Sequence, residues 1–185
     1  MKYFLLACIL LYSGSSIAQT KTPSLDKSPL DISYYPNNYP LLKIQDKATT
    51  PMLARIIYSR PQKNGRAIFG DLIEYGKLWR LGANEATEIE FFQNVKINDI
   101  KIKKGRYTLY AIPNPDKWTL ILNTETDIWG SFKYDMQKDK LRIDLPVEKQ
   151  TEIAETFALF FDAASDGFLL QMLWDDIKIN LPISL

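Results

Sequence analysis

The sequence predicts an all-β protein, a single antiparallel β-sandwich (or partly closed barrel) of about nine or ten strands. Three observations predict it. Short apolar runs rich in Val, Ile, Thr, Tyr and Phe recur along the chain. Asn, Asp, Gly and Pro clusters separate them, as turns require. No amphipathic helical stretch of about twelve residues competes with this period-two pattern.

The elements follow in order. Residues 53–58 run Leu-Ala-Arg-Ile-Ile-Tyr, rich in strand formers. In residues 87–92, Ile89 and Phe91 alternate with Glu88 and Glu90, the mark of a half-buried strand. Residues 95–102 read as a tight hairpin, with Asn98-Asp99 in the two-residue loop because both tolerate positive φ. Tyr107–Ile112 and Trp118–Leu122 flank a Pro-Asn-Pro-Asp turn; both of their faces are apolar, which places the pair centrally. Leu141, Ile143 and Leu145 alternate with Arg142 and Asp144. Thr156–Phe161 and Phe168–Trp174 surround the turn Ser165-Asp166-Gly167. Asp175-Asp176 interrupts the second run before Ile177, Ile179 and Leu181 close the chain. The aromatics Tyr107, Tyr110, Trp118, Trp129 and Trp174 on such strands serve a core or a sugar platform. An outer-membrane barrel is disfavoured, since the charges leave no uniform lipid-facing band.

Domain organisation is read in three parts. Residues 1–18 form a signal peptide: Lys2, an apolar run from Phe4 to Tyr12, then small and polar residues with Ser16 and Ala18 at the cleavage positions. Cleavage after Ala18 makes Gln19 the new N-terminus of a periplasmic or secreted chain without cysteine. The apolar run is shorter than the roughly 20 residues a membrane span needs, and no transmembrane segment is expected in the mature chain. A retained anchor, and lipidation at Cys8 after Leu6-Ala7, stand as alternatives. Residues 19–50 form an extended strap rich in Pro and Tyr, unable to serve as a central strand because proline removes a donor. Residues 51–185 form the sandwich domain.

Composition excludes several chemistries. Lys+Arg is 23 and Asp+Glu is 22, with no basic tract, which argues against a nucleic-acid partner. Histidine is absent, so His-based triads and imidazole zinc ligands are unavailable. The aspartates form no calcium-loop pattern, and no metal or cofactor is expected.

One stretch, residues 58–87, does not read as strands. Gly65, Gly70, Gly76 and Gly82 fall here, four of the eight glycines in the chain. Long irregular excursions within β domains are functional or disordered. Ile68, Phe69, Leu72, Ile73, Tyr75, Leu78 and Trp79 argue for order, with one short helical turn expected between Phe69 and Leu78. Gly65–Asp71 has the glycine spacing of a phosphate loop but lacks its Lys-Ser/Thr pair.

Ser59-Arg60-Pro61, Gly65-Arg66, Ile68-Phe69-Gly70 and above all Trp79-Arg80-Leu81-Gly82-Ala83-Asn84-Glu85-Ala86-Thr87 resemble the signature of the DUF2911 family. Gly105–Leu109, Ile112-Pro113, Trp118-Thr119, Trp129-Gly130 and Trp174-Asp175 match its later blocks, and Asp31–Pro36 resembles members from Bacteroidetes-type bacteria. The resemblance covers nearly the whole mature chain. It implies an exported bacterial β protein and no assigned reaction.

Trp79, Arg80, Asn84 and Glu85, with Arg60, are the candidate ligand-binding residues. An Arg fork and an Asn amide read planar polar groups, and Trp offers a stacking face. The alternative is structural: Arg80 paired with Glu85, Trp79 in the core, Asn84 in an Asx-type turn, Arg60 at a strand exit. Without His or mature Cys, hydrolysis needs a carboxylate pair, and Glu74, Glu85, Glu88 and Glu90 lie in the right region. The leading function is therefore a periplasmic or secreted binding or interaction module. Residues 58–87 would be its recognition face, taking an unknown small molecule, glycan or envelope protein. The alternative is an envelope enzyme acting on carbohydrate or peptide through carboxylate or Tyr/Arg/Asn chemistry.

Overall fold

The computed structural model describes residues 22–185, so the leader and its cleavage site lie outside the described residues. Among the described residues are one 3-10 turn (Met136–Lys138), one short α-helix and ten strands: β1 (Leu30–Tyr35), α1 (Tyr39–Ile44), β2 (Ala54–Ser59), β3 (Glu88–Phe91), β4 (Val95–Ile97), β5 (Ile100–Ile102), β6 (Gly105–Pro113), β7 (Lys117–Asn123), β8 (Asp139–Pro146), β9 (Glu148–Ala164) and β10 (Gly167–Ser184). They form two antiparallel sheets, ordered β1-β2-β3-β6-β7-β8 and β5-β4-β10-β9, that do not close into a barrel.

Alternation builds the core. Ala54, Ile56 and Tyr58 of β2, Ile89 and Phe91 of β3, and Tyr107 and Leu109 of β6 turn inward. They meet Phe157, Leu159 and Phe161 of β9 and Phe168, Leu170 and Trp174 of β10. Arg55, Glu88 and Glu90 point the other way, as period two requires. β6 and β7 occupy interior positions of their sheet, as their two apolar faces predicted. Tyr110 and Ile121, on the outer face, form a second cluster with Ala86, against which Leu78, Ile128 and Tyr134 pack.

Asn98 and Asp99 take φ of 48° and 62°, giving the expected tight hairpin. Two local expectations are corrected, and the strap gains detail. The run 168–181 is one strand and not two, because Asp175 takes φ 55° at a bulge and lets the ladder continue. No helix lies between Phe69 and Leu78, where turns and isolated bridges hold the chain. The strap contains regular structure of its own. β1 runs between Pro29 and Pro36 and pairs with β2 at the sheet edge, and α1 carries a proline in its first turn.

The strap and the start of the glycine-rich segment close one side of the sandwich. Carbonyls along β9, an edge strand, accept from Lys63 N–H (at Glu155, 2.7 Å), Arg60 Nε (at Phe157, 3.3 Å), Ser33 Oγ (at Leu159, 2.6 Å) and Asn37 Nδ2 (at Phe161, 3.0 Å). An edge strand left bare invites pairing with another chain, and this cover removes the invitation.

Candidate functional site

The glycine-rich segment continues the hydrogen-bond ladder of β6 where β3 ends. β3 pairs with Gly105–Thr108; beyond it Leu109 N–H donates to Thr87 O, Ala111 exchanges two bonds with Trp79, and Gly76 N–H donates to Pro113 O. This anchoring buries Trp79 to 4 % exposure. Its indole lies 5.6 Å from Trp118 and 5.9 Å from Trp174, centroid to centroid, with Phe69 and Phe157 also in contact range, and its Nε1 donates to Gly82 O at 3.1 Å. Trp79 therefore belongs to the core. Among the other aromatics considered as a platform, Tyr107, Tyr110, Trp118 and Trp174 are buried; Trp129 is 61 % exposed.

After Trp79 the backbone is strained. Leu81 is fully buried yet holds φ 53°, Gly82 takes φ 150° and Asn84 takes φ 58°. A bulky residue at positive φ persists only where its surroundings over-determine it. Here Thr87 Oγ1 donates to Leu81 O, and a Cβ on Gly82 would stand 3.1 Å from Ser59 O. The contortion turns residues 84–86 onto the β7–β8 connection. Gly130 N–H donates to Asn84 O at 2.9 Å, Ala86 N–H donates to Ile128 O at 2.9 Å, and Glu85 bridges to Trp129.

That junction forms a cleft of about 240 Å³ on the outer face of the six-stranded sheet. Its apolar lining is Leu30, Ile57, Ala86 and Ile128; its charged lining is Glu85, Glu88, Arg106 and Asp127. Arg106 is the clamp. Its Nε stands 3.3 Å from Glu88 Oε2, and its Nη2 donates to Asp127 Oδ2 and, at 3.1 Å, to Thr126 Oγ1. Glu88 in turn accepts from Asp127 N–H. Glu90 is paired with Arg55 at 2.7 Å. Glu85 is exposed and, among the described residues, makes no ion pair. The cleft thus holds three carboxylates against one guanidinium, with one carboxylate uncommitted.

The expected Arg80–Glu85 pair does not form. Arg80 is half-buried, its Nε has no partner, and burial lowers the pKa of its guanidinium. Asn84 makes its turn through left-handed backbone and not through a side-chain Asx bond. Arg60 pairs with Asp31 at 3.0 Å and donates to Phe157 O of β9, outside the cleft. Of the five candidates, the structure brings only Glu85 to the cleft, with Asn84 beside it through its carbonyl. Asp127 and Ile128 carried no sequence signal. Arg106 stood in a matched block, but its place opposite Glu90 depends on strand register.

An open all-β sandwich with a strained signature loop beside a charged cleft defines the class of this protein. A family model described as "Protein of unknown function (DUF2911)" matches residues 43–183, and the chain belongs to that family. No curated protein and no solved structure matches it. Among the described residues no helix is long and apolar enough to cross a membrane, and no cluster of three or more His, Cys, Asp or Glu could hold a metal ion.

Proposed function

We propose that this protein is an exported binding module whose recognition face is the cleft between Glu85-Ala86, Arg106 and Asp127-Ile128. One observation carries the reading: Glu85, an uncommitted carboxylate, stands over an apolar floor with its bridge partner Trp129 exposed beside it. Apolar surface with a few placed polar groups is the usual make-up of a small-ligand site. An exposed indole stacks on a sugar ring or an organic cation, and a free carboxylate accepts hydrogen bonds from hydroxyl or ammonium groups. Two further features support the reading. Backbone strain at Leu81 is concentrated where it holds this loop, and the signature stretch 79–87 ends in the cleft. Binding is favoured over hydrolysis because Glu88 and Asp127 are both committed to Arg106, leaving no second free carboxylate for an acid–base pair.

The test uses the full chain expressed with its own leader. N-terminal sequencing of the exported product should begin at Gln19, and the protein should appear in periplasm or medium. Thermal melts against glycans, muropeptides and organic amines should reveal a compound that raises the melting temperature by mass action. Glu85→Gln and Trp129→Ala should each weaken that compound by about tenfold, the loss expected for one charge-assisted hydrogen bond or one stacking contact. A panel without a responding compound, or a response unchanged in both variants, rejects the cleft as the recognition face. Cytosolic, unprocessed protein rejects export.

A further inference from the structure

The two lateral sides of the sandwich differ. The β1/β9 side is sealed by the strap; the side bounded by edge strands β5 and β8 carries a cavity of about 310 Å³. Its lining is Ile100, Lys101, Ile102 and Lys103 from the β4–β5 hairpin and its exit, Tyr107 from β6 and Lys140 from β8. None of these residues lines the cleft described above. Tyr107 and Ile102 are buried and make the floor, and Tyr107 Oη donates to Lys103 O at 2.9 Å, which fixes the chain that carries that lysine.

Positive charge concentrates here. Residues 95–104 hold four lysines and one aspartate in a chain whose overall charge is +1. Lys96 lies directly opposite Lys101 across the β4–β5 ladder, an arrangement that destabilises a sheet. Lys140 is the unpaired residue of a β-bulge, since Leu122 pairs with Leu141 while Asn123 pairs with Asp139, and bulges re-aim side chains. Some cations elsewhere are ion-paired, as in Arg55–Glu90, Arg60–Asp31 and Lys117–Asp144, and others among the described residues, such as Lys43, Lys77 and Lys133, are not. Among the described residues Lys96, Lys101, Lys103 and Lys140 are in no ion pair, and residues 1–21 contain no Asp or Glu to supply one.

Protection of an edge strand accounts for Lys101 and Lys103. It does not account for the bulge that brings Lys140 to the same cavity. We propose that this cavity is a second ligand site, taking a polyanionic phosphate, either a soluble polyphosphate or an array of lipid phosphodiesters. Three lysines line one concavity, and their like charges repel one another with no anion between them. A polyvalent anion converts that repulsion to attraction, and lysine binds phosphate as a compact point charge.

Sodium tripolyphosphate serves as the soluble probe, and vesicles of phosphatidylglycerol, with phosphatidylcholine as control, serve as the headgroup probe. Wild-type chain should bind at least one of the two, with affinity falling as sodium chloride rises because exposed charges are screened within about 8 Å at physiological salt. The triple variant Lys101→Gln/Lys103→Gln/Lys140→Gln should lose on the order of tenfold or more in affinity. Its melting temperature without ligand should equal or exceed the wild-type value, since repulsion is relieved. The charge-preserving triple Lys→Arg variant should retain binding, and it serves with the single Gln variants if the triple Gln variant fails to fold. Binding of tripolyphosphate assigns a soluble ligand; binding of phosphatidylglycerol vesicles alone assigns a lipid headgroup. Binding of neither probe, or equal binding by the neutralised variants, overturns the site.

Discussion

Trp79 and Ala111 exchange both of their backbone hydrogen bonds, at 2.7 and 2.9 Å. This pair ties an irregular segment to the middle strand of the larger sheet, and from it the indole enters the aromatic centre between the two sheets. Trp79→Ala should therefore cost about 3–5 kcal/mol, the range for removing a large buried aromatic. A urea titration followed by tryptophan fluorescence measures it, and a midpoint close to wild type would contradict the core assignment.

Arg80, its neighbour, should behave in the opposite way. Its Nε is buried without a partner, so replacing the side chain with an apolar one of similar length removes a desolvated polar group and leaves none stranded. Arg80→Met should leave the urea midpoint unchanged or raise it. A clear fall would mean that the guanidinium makes an attractive contact that its surroundings do not reveal.

Gly167 starts β10 at φ 155°, where a Cβ would lie 2.2 Å from Ile183 O and 2.9 Å from Ser184 Cα. Both obstacles are backbone of the strand's own far end, so neither can rotate away. Gly167→Ala should cost about 1–3 kcal/mol, towards the upper end, with the sheet β5-β4-β10-β9 losing amide-exchange protection first. Normal stability would refute the close approach.

Burial, then the charges of Glu125, Asp139 and Glu88, push the Tyr110 phenol from 10.0 up to about 12. The raised folded value means that the neutral phenol is favoured in the native state. Its stabilising contribution is complete below the unfolded value near 10.0 and is lost as pH rises through the folded value of about 12. Tyr134, also raised to about 12, acts in the same window. Stability should fall with pH across that interval, and Tyr110→Phe should flatten the fall. Phenolate absorbance during titration checks the assignment: one fewer late-ionising tyrosine is expected in the variant.

Strand content was legible from alternation alone. Glu88, Ile89, Glu90 and Phe91 announce their two faces whatever they pair with, and Asn98-Asp99 announces a hairpin because few other residues accept its dihedrals. The bulge at Asp175 was not legible, because an aspartate pair signals a turn equally well; what decided it was the partner strand β9 running past without a break. The candidate site divided in the same way. Glycine spacing marked residues 58–87 as an excursion, and the density of apolar residues there marked it as ordered. Which side chain faces solvent depends on whose backbone the segment joins. Trp79 went inward because Ala111 offered a free ladder position, and Arg80 was thereby turned away from Glu85.

By itself the sequence determined the all-β class, the approximate number of strands, the chemistries barred by the absence of histidine, and the location of the unusual loop. All of these follow from local periodicity, composition and dihedral preference, which need no knowledge of distant residues. Only the tertiary structure decided that Glu85, Arg106 and Asp127 share one cleft, that the strap seals one side of the sandwich, and that Lys140 joins the lysines of a hairpin. Those are juxtapositions of residues 20 to 40 positions apart or more, fixed by strand order and register. Register is set by how two apolar faces fit together, a property of the folded pair of sheets that no single segment carries.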